Sequence, residues 1–126
     1  MDQTIAWARN QERTGQTGWL KRCLGFVARA YGWSAVGTRY AIDHYYATPA
    51  SMQHPGDRNP PPGAVLYWKT RSRAGHAALY IGDGLVASTD ITIPGQIGIV
   101  PATEIERKWN ATYIGWGAPY FPNGAR

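Results

Sequence analysis

An α+β fold, with helices leading and an antiparallel sheet of about five strands following, is predicted by a change of hydrophobic period along the chain. Up to about residue 46, apolar residues recur at spacings of three and four. After residue 63 they come in short, β-rich runs (AVLYWK, HAALYI and LVASTD) separated by glycine or charge. Length and composition agree with one such unit: 126 residues give room for a single core, and hence a single domain over 1–126. A hydrophobic fraction of 44% with six tryptophans supplies the apolar surface that a folded globule needs.

Each element has its own signal. Asp2 is placed to cap a first helix over residues 3–12. Thr17 is the expected cap of a second, whose stripe of Leu20, Cys23, Leu24, Val27, Ala28 and Tyr31 keeps helical spacing and faces a core. Gly32 is expected to end it. Ser34 is the expected start of a third helix through about residue 46. The stretch TPASMQHPGDRNPPPG then reads as a long loop, because its prolines fix the backbone and remove donors. Among the strands that follow, IGDG between HAALYI and LVASTD is a tight hairpin turn. A fourth strand is expected over 96–100. Thr103 and Glu106 have the spacing of a capping box that opens a short helix ending near Trp109, and YIGW closes the sheet.

Charge and residue counts narrow the partners. A formal net charge of +5 draws the chain toward polyanions, yet its basic residues are scattered and accompany no zinc-finger or RNP-like pattern. No nucleic-acid partner is therefore expected; bulk attraction to an anionic target such as an acidic wall polymer is. The longest apolar runs fall far short of a membrane span. The opening MDQTIAWARN lacks the basic and apolar parts of a secretory signal. One cysteine excludes an internal disulfide and any CxxC metal site, and with three dispersed histidines it offers no zinc set. No metal or cofactor is expected.

That one cysteine, Cys23, has two readings. Free cysteine is a small hydrophobe that often fills a core. Near a helix start it is also where the positive end of the helix dipole favours a thiolate, and hence a nucleophile. A nucleophile needs a base held in place. His54 falls in the proline loop, and His44 reads as an ordinary surface or core residue of a helix. His76 opens a strand directly after Gly75, where the absence of a side chain lets chain or substrate approach closely. Pairing Ile81 with Leu85 across the hairpin puts Asp90 level with His76 on one face, with Ser88 two residues nearer the turn as the alternative partner. Asp90 also has the plainer reading of a strand-end or turn residue. Cys23, His76 and Asp90 (or Ser88) together have the composition of nucleophile, base and orienter. Trp19, beside the cysteine, and Trp68 are expected to line a substrate groove with Gly75. Most other aromatics are expected in the core.

RCLGFV, then PPGAVLYW, then GHAALYIGDG resembles, in that order, the NlpC-type and CHAP cell-wall hydrolases over roughly residues 19–116. The resemblance implies a papain-like fold, with Cys23 as nucleophile, His76 as base and the backbone N–H of Cys23 as oxyanion donor. It implies cleavage of an amide in peptidoglycan, within the stem peptides or between peptide and glycan, through a Cys thioester. Arg22 and Leu24 flank Cys23 where the NlpC branch usually has Asp-Cys-Ser, and Ser88 stands where that branch often has a histidine. Ser88-Thr89-Asp90 keeps the spacing of the Glu-x-Asn pair of the CHAP branch with other residues, so Asp90 is carried over as orienter. Action at the wall, extracellular or periplasmic, and as a monomer is expected, with delivery by phage lysis, by a secretion system or within a longer parent protein. Two other readings stay open. One is a papain-like toxin, protease or acyltransferase acting on a protein, accompanied by an immunity or delivery partner; the other is a catalytically inactive wall-binding module.

Overall fold

The computed structural model describes residues 2–121 and 124–125, and these form an α+β architecture built on an open, antiparallel six-stranded sheet with four α-helices. In chain order the helices α1 (Asp2–Arg13), α2 (Cys23–Ala30) and α3 (Ala41–Ala47) come first. The strands β1 (Gln53–Pro55), β2 (Val65–Lys69), β3 (His76–Gly82), β4 (Leu85–Thr89) and β5 (Ile97–Pro101) follow. Helix α4 (Ala102–Trp109) and strand β6 (Thr112–Gly117) end the order, and the strands lie side by side as β1-β6-β2-β3-β4-β5. No helix of the described residues is long and apolar enough to cross a membrane.

Period-2 alternation divides the core between the two faces of the sheet. Val65 and Tyr67 of β2, Leu79 of β3 and Ala87 of β4 join Leu24, Phe26 and Val27 of α2 in one buried cluster. Leu66 and Trp68 of β2, Ala78 of β3 and Val86 of β4 join Ile105 of α4 in the other. The sheet is thus covered on both faces: the N-terminal helices pack on one and α4 on the other, rather than all helices on one side. Burying Leu24, Phe26 and Val27 is worth about 1.5–3 kcal/mol each, which anchors the helix that Cys23 begins.

Four expectations need correction. The second helix begins at Cys23 and not near Thr17, because Gly18 (φ 92°) and Lys21 (φ 55°) turn the chain out of helical geometry. Leu20 is 57% exposed there rather than part of the core stripe. The third helix begins at Ala41; Ser34 instead uses its backbone N–H and hydroxyl to donate to Ala125 O, 2.8 and 3.1 Å away. The proline stretch holds a 3-10 turn, Ala50–Met52, and strand β1, which adds a sixth strand at the sheet edge, where a proline costs no ladder bond to an outer neighbour. Pro101 takes the N-cap position of α4 with no side-chain cap, and Glu106 turns to Arg58 and Trp68 instead of forming a capping box with Thr103. The Asp2 side chain, expected as the first cap, lies outside the described residues.

Candidate functional site

Cys23 is the first residue of α2, so it sits where the free backbone N–H groups of a helix start converge. The backbone N–H groups of Ala77, the residue after His76, and of Leu24 lie close enough to its sulfur to favour the thiolate. Strand β3 begins at His76, and both residues line one cleft of about 790 Å³, together with Gly75, Asp90 and Trp109. Helix start and strand start therefore meet at the same opening.

The histidine is held on two sides. Its Nε2 lies 2.8 Å from Ser88 Oγ. The single Ser88 hydroxyl proton points to Thr89 O at 3.1 Å, so Oγ accepts from Nε2–H of the neutral ring, which leaves Nδ1 as the basic nitrogen. The Trp109 ring stands edge-on to the imidazole at 4.8 Å between centroids. His76 is buried, and burial lowers its pKa to about 4, the Asp90 charge opposing that shift. Burial likewise pushes the Cys23 thiol up; the surrounding backbone N–H groups pull it down and Asp90 adds a smaller upward push. The helix start was expected to favour a thiolate, but desolvation outweighs it here, and the resting pair is neutral thiol and neutral imidazole.

Asp90 and Ser88 separate into different duties. Leu79 pairs with Ala87 and Tyr80 with Val86, a register that, continued, sets residue 76 opposite residue 90. The strand ends at Thr89, however, and Asp90 turns into the left-handed region (φ 65°). Its carboxylate then accepts from Lys21 N at 2.9 Å and from Gly95 N at 2.6 Å. Ser88, not Asp90, hydrogen-bonds the His76 ring.

The expected groove residues are placed unevenly. Gly75 lines the cleft. Trp68 does not: it is fully buried, the cross-strand partner of His76, and its indole N–H points to Glu106 Oε1 at 3.4 Å. Trp19 lines a neighbouring cavity of about 540 Å³ with Trp7 and Trp33, divided from the cleft by Arg22 and Gly25, which border both. Its ring packs 5.3 Å from Phe26 and 6.2 Å from Trp7, with the Arg22 guanidinium 5.0 Å above it.

The other two histidines lie elsewhere. His44 is fully buried; its Nε2–H donates to Tyr120 O at 2.7 Å and its Nδ1 accepts from the Tyr67 hydroxyl, so desolvation keeps it neutral. His54, on β1, stacks flat on Trp116 at 3.7 Å. The cationic rim is what sequence reasoning missed, and Trp109, one of the aromatics expected mostly in the core, stands instead at the cleft against His76. Lys21, Arg22, Arg39, Arg71 and Lys108 line the cleft against one carboxylate, Asp90. A scatter of basic residues along the chain gives no sign of this convergence, which the turn before α2, the loops before α3 and β3, and the end of α4 create together. Comparison of the chain with protein-family models and with curated proteins finds no match.

Proposed function

We propose that this protein is a cysteine-dependent amide hydrolase of papain-like fold, of the CHAP and NlpC kind, that cleaves an amide bond of peptidoglycan. One observation carries the reading: a cysteine at the first residue of a buried helix and a serine-anchored histidine at the first residue of a strand open onto one cleft. In this reading Nδ1 of His76 takes the thiol proton as Cys23 Sγ attacks the amide carbonyl carbon. The oxyanion that forms is met by the backbone N–H of Cys23. Collapse breaks the C–N bond, the imidazolium gives its proton to the leaving amine, and a thioester remains. Water, deprotonated by the same nitrogen, then releases the acid and returns the proton to the thiol. Ser88 is the orienter of His76 here and Asp90 is not.

The test is mass spectrometry of purified peptidoglycan digested by the wild type and by Cys23→Ala. Fragments that appear with the first and vanish with the second support the reading and name the bond. Absence of fragments across several wall chemistries would overturn the choice of substrate and favour a protein target or a binding module.

A further inference from the structure

Two non-glycine residues beside the site adopt left-handed backbone geometry, Lys21 (φ 55°) and Asp90 (φ 65°), and they are bonded to each other. L side chains disfavour this region, so each conformation must be held by its surroundings. The Asp90 carboxylate holds both sides. Oδ2 accepts from Lys21 N at 2.9 Å, two residues before Cys23, and Oδ1 accepts from Gly95 N at 2.6 Å. The clasp is completed by Trp19 N donating to Gly95 O at 3.1 Å and by Asp90 N donating to Gln96 O at 3.0 Å. Lys108 Nζ, from α4, caps Ile91 O on the same loop. Asp90 itself follows Ser88 by two residues, at the end of the strand that holds the histidine.

We propose that Asp90 is a positioning residue whose carboxylate clasps the turn presenting Cys23 to the end of the strand carrying Ser88, and so fixes where the thiol stands relative to the imidazole. One carboxylate spans the two halves of the site, since the nucleophile comes from a helix start and the histidine with its serine from a hairpin, and among the described residues no other acidic side chain lines the cleft. Its charge also reaches both reacting groups, raising the pKa of Cys23 and of His76. The inference rests on the reading of Cys23 and His76 as the reacting pair, but its first test does not need the substrate.

That test is the pH dependence of Cys23 alkylation by iodoacetamide in the wild type, Asp90→Asn and Asp90→Ala, with melting temperatures measured alongside. The other groups facing Cys23 are His76 on β3, Tyr67 on β2, and Lys21 and Arg22 on its own segment. Arg39 and Tyr40 before α3, Arg71 before β3 and Lys108 on α4 complete the ring. All are unchanged in the variants, so a difference reports Asp90. Asp90→Asn is nearly isosteric and keeps one acceptor oxygen; removing its charge moves the alkylation midpoint to lower pH. Asp90→Ala moves the midpoint the same way and, with both bonds lost, lowers peptidoglycan hydrolysis about 100-fold against about tenfold for Asn, each tenfold being 1.36 kcal/mol. An unmoved or raised midpoint in Asp90→Asn, or unimpaired hydrolysis by Asp90→Ala, overturns the proposal. If Asp90→Ala does not fold, Asp90→Asn alone decides. A shifted midpoint in a chain that digests no wall preparation supports the clasp while the hydrolase reading fails.

Discussion

The Ser88 hydroxyl holds the His76 ring by its Nε2 at 2.8 Å, and its own proton is committed to Thr89 O at 3.1 Å. A neutral hydroxyl, not a carboxylate, is thus the group that fixes the tautomer. Ser88→Ala leaves a buried imidazole N–H without its acceptor, a loss of about 1–3 kcal/mol. The expected result is a fall in kcat of roughly tenfold or more with KM little changed, because the ring is misplaced and no substrate contact is lost. Steady-state kinetics on a released peptide check this; equal changes in KM would place Ser88 in substrate binding instead.

The low pKa of His76 sets the acid limb of stability and, in the proposed mechanism, of activity. The imidazole is neutral above a pKa of about 4 and available as a base, so hydrolysis should persist well below 6.5, where an ordinary histidine would already be protonated. Stability follows the opposite state of the same group. The unfolded chain binds the proton near pH 6.5 and the folded one only near 4, so stability is full above 6.5 and declines as pH falls toward 4. The loss amounts to about 3 kcal/mol from His76, and buried His44, whose pKa is also lowered, acts in the same direction. Urea unfolding between pH 7 and 4 measures it; a flat profile, or an activity limb near 6.5, would contradict the buried neutral ring.

How far this site could be read from the chain depends on which residues carried a period. The strands after β1 were legible because they are short β-rich runs bounded by glycine or charge, and so was the hairpin register, which sets 76 against 90 despite a bulge between Tyr80 and Gly82. What the register could not convey is that Asp90 leaves the strand, since that depends on backbone bonds arriving from Lys21 and Gly95, residues 69 positions before it and five after. The start of α2 was misread for a similar reason. Leu20 keeps the helical spacing of its neighbours, but Trp19 N is bonded to Gly95 O and the turn before Cys23 is thereby held open. Strand β1 was invisible because Gln53-His54-Pro55 carries no alternation; it forms by pairing with β6, where Trp116 lies under His54. Cys23 and His76 stood out because each opens an element whose apolar pattern is clear; the contact of Trp109 with His76 did not, because nothing in sequence ties the end of α4 to the start of β3.

Arg39 and Arg71 stand exposed on the rim of the cleft, which holds five cationic side chains against Asp90. In the proposed reaction, an amide substrate bearing carboxylates should therefore be favoured over a neutral one of the same length. Exposed pairs contribute about 0.2–1 kcal/mol each, so Arg39→Gln with Arg71→Gln should raise KM for a carboxylate-bearing peptide about three- to tenfold with kcat held. The difference should shrink as salt shortens the Debye length. A series of peptides with free and amidated carboxyl groups, measured at two ionic strengths, checks it; indifference to amidation would remove the rim from recognition.

Gly75 is where the backbone of the site has least room. It takes φ 66°, and a Cβ there would stand 2.9 Å from both Ile42 Cβ and Trp68 O, the second a backbone atom that cannot swing aside. Gly56 is a fair control, since it has nearly the same angle, φ 68°, with nothing within 4 Å of the added carbon. Gly56→Ala should therefore cost only the left-handed penalty, about 1–2 kcal/mol. Gly75→Ala should cost that plus the strain of overpacking, about 1–3 kcal/mol more. Because the displaced backbone runs directly into His76, the second variant should also lose activity at temperatures where it is still folded, and Gly56→Ala should not. Equal melting losses for the two would mean that Ile42 and the β2 backbone give way freely, and that the close approach at Gly75 does not hold the histidine in place.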